Sequence, residues 1–130
     1  MAKQNYNIEF LFKALADRTR LRLISLIGDS EVCVCFFVAI LKVSQPKISR
    51  HLAYLRRAGI VAARREGKWM HYRLTEPPDA HAAQVFREVR ASLAEYPELQ
   101  RDRAQLLKFC CAPNLPVQLR RAPRPLNLAA

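Results

Sequence analysis

The sequence predicts a mainly α-helical domain of about six helices that carries one small β-hairpin. Three observations predict it. Apolar residues recur at helical spacing in segment after segment, and a single stretch, near residues 61–74, alternates with the period of a strand. The 3 glycines each stand where a helix ends or the chain turns back.

The elements follow in order. Ile8, Leu11, Phe12 and Leu15 repeat at helical spacing and predict a first helix over about residues 5–16. Asp17 resembles an N-cap for a second helix that buries Leu21, Leu23, Ile24, Leu26 and Ile27, with Gly28 at its C′ position. Val32 to Lys42 is nearly all apolar. Its length allows a strand or a buried helix, and the helix start that follows closely favours a helix. That start is Ser44, an N-cap residue, with Pro46 in the first turn where its missing N–H costs nothing. The segment from Lys47 to Ala58 places Ile48, Leu52 and Leu55 on one face and leaves Lys47, Arg50, His51, Tyr54 and Arg57 off it, and Gly59 ends it. Ile60, Val61 and Ala62 read as extended. Trp69, His71 and Arg73 alternate with Met70, Tyr72 and Leu74, so the chain forms a two-stranded hairpin with Glu66-Gly67 near its tip. Asp79 caps a fifth helix with Val85, Phe86, Val89 and Leu93 as its apolar stripe. Pro97 opens a sixth, which runs to about Phe109. From Ala112 onward there are four prolines and no acidic residue, which predicts a flexible basic tail over 112–130 behind a single domain over 1–111.

Composition narrows the function. The 130 residues carry 22 Lys+Arg against 11 Asp+Glu, a net charge of +11, which points to an anionic partner. Residues 41–75 hold nine basic and one acidic side chain, and residues 112–130 hold three basic and none acidic. A basic block inside a nearly neutral domain is a local binding face. The longest apolar run, Val32 to Leu41, is half the ~20 residues a membrane span needs. The first residues contain no apolar stretch of signal type, so the protein is expected in the cytoplasm, away from membranes. Its 4 cysteines are then reduced thiols, suited to metal binding more than to disulfides.

Two helices joined by the short Val43-Ser44-Gln45 turn, the second of them basic, have the form of a helix-turn-helix, and the hairpin that follows is the wing of a winged helix. An α-helix fits the DNA major groove, and its N-terminal residues reach base edges. Here those are Ser44, Gln45, Lys47, Ser49, Arg50 and His51. Gln contacts adenine, Lys and Arg contact guanine or phosphate, and Ser contacts phosphate. The wing offers Arg64, Arg65, Lys68, His71 and Arg73 to the flanking backbone or the minor groove.

The stretches FKALADRTRLRLISLI, EVCVC, SQPKISRHLAYLRRAGIV and RREGKWMHYRL, which fall within residues 8–95, resemble the ArsR/SmtB family of metal- and metalloid-responsive repressors. The resemblance implies a homodimer, packed through its first and last helices. It also implies binding to double-stranded operator DNA with an inverted repeat, and release by a metal or metalloid.

The arsenical branch of that family carries ELCVCDLC at the start of its third helix. This chain has Glu31-Val32-Cys33-Val34-Cys35, with Val38 where the branch has a third cysteine. The implied inducer is a trivalent arsenic species (arsenite, an organoarsenical, or antimony in its place), a soft centre that prefers thiolates. At ~100° per residue, positions i and i+2 lie on nearly opposite faces of a helix, so Cys33 and Cys35 can share one atom only if the helix begins after Cys33 or is distorted. Cys110 and Cys111 follow the last helix and offer a second pair, as a third ligand or as the whole site. Zinc-sensing relatives use Asp and His residues on the last long helices. The corresponding Asp79, His81, Ser92 and Glu95 lack a histidine at Ser92, which leaves a tetrahedral site incomplete.

Other functions predict other behaviour. A thiol redox sensor of the same fold would leave DNA on oxidation without metalloid. A non-specific basic architectural protein would bind DNA with steep salt dependence and no operator preference. An enzyme is not expected, since the sequence has no C-x-x-C, no phosphate loop and no acid–base constellation, and no catalytic cofactor is implied.

Overall fold

The structure, a computed structural model, describes residues 6–111, 119 and 122–125. Among them the chain forms α1 (Ile8–Leu15), α2 (Arg18–Ile27), β1 (Glu31–Cys33), α3 (Val34–Leu41), α4 (Gln45–Arg57), β2 (Val61–Glu66), β3 (Trp69–Leu74), α5 (Ala80–Leu93) and α6 (Pro97–Cys111). This is a winged helix-turn-helix: α3 and α4 make the helix pair, and β2 and β3 make the wing.

The caps sit where the side chains require them. Asp17 accepts from the Arg20 amide and Asp79 from the Ala82 amide, each satisfying a first-turn N–H that has no partner inside its helix. Gly28 ends α2 with φ +52°, a left-handed value that favours glycine. Ser44 stands at the N-cap of α4 without a side-chain cap bond, and Pro46 fills the first turn.

The apolar stretch after Ser30 is not one helix. Glu31–Cys33 is extended and pairs antiparallel with β3, so the expected β2–β3 hairpin is present and gains a third strand in the order β1-β3-β2. The helix begins only at Val34. Burial on every side gives a strand and a helix the same unbroken apolar run, which is why periodicity did not separate them. The register places Glu31 opposite Arg73 and Cys33 opposite His71, and on the other edge Arg64 opposite His71. Because side chains alternate, Glu31, Cys33, Arg64, His71 and Arg73 share one face. Val32, Val61 and Tyr72 take the other and join the core.

That core runs from α1 to α6 around Phe36, Phe37 and Phe86, all fully buried. Burying each such ring is worth about 1.5–3 kcal/mol. Phe37 lies 6.3 Å from the Tyr72 ring, tilted at 55°, and so joins α3 to the wing. Arg22 grips the buried Asp102 with two bonds of 2.8 and 2.9 Å, which fixes α6 on α2. The last helix runs through Cys111, so Cys110 and Cys111 lie within it and not after it. Of the expected flexible tail, Leu119, Ala122 and Pro125 are buried, the first two in the core cluster. The rest of that expectation lies outside the described residues.

Candidate functional site

The β1–α3 junction falls between two cysteines. Cys33 is the N-cap of α3 with extended backbone (φ −71°, ψ 143°), and Cys35 lies in the first helical turn. This removes the opposite-face problem, since only Cys35 has helical geometry. The Cys33 Sγ lies 3.3 Å from the Cys35 Sγ. Cys33 is fully buried and Cys35 partly so. A helix N-terminus favours a thiolate. Burial outweighs it: desolvation first, then the bond and charge of Cys33, push the Cys35 thiol up to about 12. Val38, one turn beyond Cys35, packs against the core and has no donor atom. Cys110 and Cys111 belong to the same expected ligand set, and their side chains lie outside the described atoms. Among the described residues no three His, Cys, Asp or Glu side chains converge as a metal cage. Asp79 is taken up with capping α5, and the Ser92 hydroxyl donates to the Val89 carbonyl at 2.8 Å.

Two residues from this junction, Glu31 holds the wing. Arg64 donates to it from Nη2 at 2.6 Å and from Nε at 3.0 and 3.1 Å. The Arg64 bond holds the Glu31 carboxyl below the usual carboxylate range, against the opposing effect of burial. His71, the register partner of Cys33, is 2% exposed and bonds Glu66 through Nε2 at 2.9 Å. Arg64 is therefore tied to β1, and His71 is enclosed, so neither is a free wing contact as the alternation suggested. The exposed cations of the wing without a bonded carboxylate among the described residues are Arg65, Arg73 and Lys68, whose Nζ lies 5.1 Å from the centre of the Trp69 ring.

On α4, Ile48, Leu52 and Leu55 face inward, while Ser44, Gln45, Lys47, Ser49 and Arg50 all face solvent. His51 does not join them. Its Nδ1 lies 3.2 Å from Arg20 Nη1 and 3.9 Å from Asp17 Oδ1. Burial lowers its pKa below the usual imidazole value, with Asp17 opposing and the charges of Arg20 and Arg50 adding to the lowering.

Sequence reading missed what orients this helix. Arg57, Phe10, Tyr54 and Arg20 form one stack: guanidinium over Phe10 at 4.6 Å, ring on ring at 4.7 Å and 12°, guanidinium over Tyr54 at 4.3 Å. Arg20 also donates to the Lys13 and Ala14 carbonyls at the end of α1. One arginine thus ties α1 and α2 to the outward half of α4. Tyr54 and Arg57, three apart on α4, were the available signal.

Comparison with known proteins agrees with this layout. Residues 17–63 match the family model described as "Bacterial regulatory protein, arsR family". The chain is 51% identical over 79 residues to the arsenical resistance operon repressor of Escherichia coli (strain K12), covering 60% of this chain and 68% of that protein. It is 57% identical over 65 residues to the arsenic resistance transcriptional regulator ArsR1 of Pseudomonas putida, covering 49% of this chain and 51% of that one. Among solved structures, HlyU from Vibrio cholerae superposes with a TM-score of 0.55 at 32% identity, over 72% of this chain and 91% of that one. The AntR antimony-specific transcriptional repressor does so with a TM-score of 0.54 at 29% identity, over 72% and 80%.

Proposed function

This chain belongs to the arsR family of bacterial regulatory proteins, and from that premise we propose that it is a repressor released from its operator when a trivalent arsenic species binds the Cys33 and Cys35 thiols. The observation that carries this reading is the 3.3 Å separation of the two sulfurs across the start of α3, short enough for one atom to bond both. Each step is a condensation: an As–S bond forms, an As–OH bond breaks, and the thiol proton leaves with the hydroxide as water. No electrons are exchanged. The high proton affinity of Cys35 is compatible with this, since its proton leaves in the same step. The remaining arsenic position takes an organic substituent, a hydroxide, or a sulfur from Cys110 or Cys111.

Release follows from what the junction touches. Drawing both sulfurs onto one centre tightens Cys33 against the first turn of α3. Cys33 ends the strand whose Glu31 holds Arg64, and α3 packs on α4. Bound arsenic therefore biases both DNA-facing elements through one two-state segment. DNA is held by Ser44, Gln45, Lys47, Ser49 and Arg50 in the major groove and by Arg65, Lys68 and Arg73 outside it. His51 and Arg64 position their elements. The protein acts as a homodimer, supported by Ile8 and Phe12, 37% and 53% exposed and one turn apart on α1. Among the described residues no helix is long and apolar enough to cross a membrane, in keeping with action on DNA in the cytoplasm.

The test is fluorescence anisotropy on DNA upstream of the protein's own gene, titrated in turn with arsenite, methylarsenite, zinc and cadmium. Arsenite or methylarsenite releases the wild type and the Cys110→Ser/Cys111→Ser variant, and neither releases Cys33→Ser or Cys35→Ser. Normal release of both single variants would sink the proposal. The close sulfurs also suit a disulfide switch, but a thiol held protonated reacts slowly with oxidants. Release by peroxide alone would favour that reading instead.

A further inference from the structure

Between α2, α5 and α6 lies a groove of about 700 Å³. Its floor is apolar: Ile24, Leu93 and Leu99 are buried there, and Leu107 continues it along α6. A volume of roughly 300–1,000 Å³ with a greasy floor and few convergent polar groups is the common form of a small-molecule site. The polar groups at this mouth are biased in sign, with Arg87, Arg90 and Arg103 against Asp29. Two of the arginines have carboxylate partners. Arg90 donates to Asp29 at 2.8 Å, and Arg87 to Glu76 at 2.6 Å.

Arg103 has none. Its Nη1 donates to the Leu26 carbonyl at 3.0 Å, at the end of α2, and no described carboxylate bonds it. The same Nη1 passes close to Gly28, where a Cβ would lie 3.4 Å from it, an ordinary contact distance. A guanidinium carries five N–H donors, and among the described residues one bond, to the Leu26 carbonyl, is made. Burial in this wall lowers its pKa, and the charge of Asp29 opposes that effect without bonding it.

We propose that this groove binds a small amphiphilic anion, an apolar carboxylate, with its chain on the leucine floor and its carboxylate on Arg103. Arg103, which no described carboxylate bonds, selects an anion at the mouth, and the floor selects an apolar body. The proposal is separate from the arsenic reading, because it is tested without DNA or arsenic.

The test is isothermal titration of the full chain with decanoate, with decanol and decyltrimethylammonium as neutral and cationic controls. The expected result is saturable binding of one decanoate per chain and none of the controls. Arg103→Gln weakens it about tenfold or more, the scale of a lost charge-assisted bond. That variant also loses the Leu26 bond, so a second is needed. Leu107→Trp keeps Arg103 and its carbonyl, fills the floor and abolishes binding while the thermal transition stays cooperative. Equal binding of decanol would overturn the proposal, as would decanoate binding unchanged in Leu107→Trp. So would no decanoate binding together with loss of self-association in Leu107→Trp, which would give the groove to a second copy of the chain.

Discussion

Cys33 is fully buried and its partner sulfur half-buried, whereas Ser44, Gln45, Lys47, Ser49 and Arg50 at the start of α4 all stand in water. The two regions are joined through the α3–α4 packing, yet they are built differently. The thiol junction is held by core packing and a strand register. The α4 rim is held from behind by Ile48, Leu52 and Leu55 and by the Arg57–Phe10–Tyr54–Arg20 stack, and its outward groups stand exposed. The difference teaches where each kind of substitution acts. Changes at the junction reach function through stability and geometry, and changes at the rim reach it through contacts alone.

The largest effect is expected where the junction is packed. Phe37→Ala removes a fully buried ring between α3 and the wing and should cost about 3–5 kcal/mol, read from urea unfolding. A loss near that of an exposed residue would break the contrast between the regions. Next come Lys47→Ala and Arg50→Ala, which should leave stability within about 0.5 kcal/mol. A phosphate contact among them, when removed, weakens DNA binding across sequences and lowers the salt slope by about 1. A marked drop in melting temperature would show that the rim is structural after all.

The smallest effect tests the link between the regions. Glu31→Gln removes the pair with Arg64. The folded carboxyl lies below its usual pKa, so the pair's contribution is present above that usual value and fades as pH falls through the folded one. Urea midpoints from roughly pH 6 to pH 3 should fall more steeply for the wild type than for Glu31→Gln. Parallel curves would mean that the pair contributes nothing.

Much of this was legible in the sequence, because local rules were enough for it. Asp17, Asp79 and Gly28 mark helix ends by chemistry that acts within four residues, and the alternation from Trp69 to Leu74 marks a strand. The misses that matter most to the site involve partners far along the chain. The pairing of Glu31–Cys33 with His71–Arg73 spans about forty residues and turned a hairpin into a three-stranded sheet. That third strand encloses His71 and supplies the carboxylate that takes Arg64. His51 stands off the apolar face of its helix, as periodicity indicated, but an arginine from α2 reaches it. The spacing of Cys33 and Cys35 is legible in the sequence, and the helix start between them is not, because the preceding residues are as apolar as the helix itself.

The most direct test of the account is arsenic X-ray absorption on the arsenite- or methylarsenite-loaded Cys110→Ser/Cys111→Ser variant, beside the Cys33→Ser/Cys35→Ser variant. The account predicts two sulfur neighbours around arsenic in the first and fewer than two in the second. Two or more sulfurs retained in the variant without Cys33 and Cys35 would contradict it.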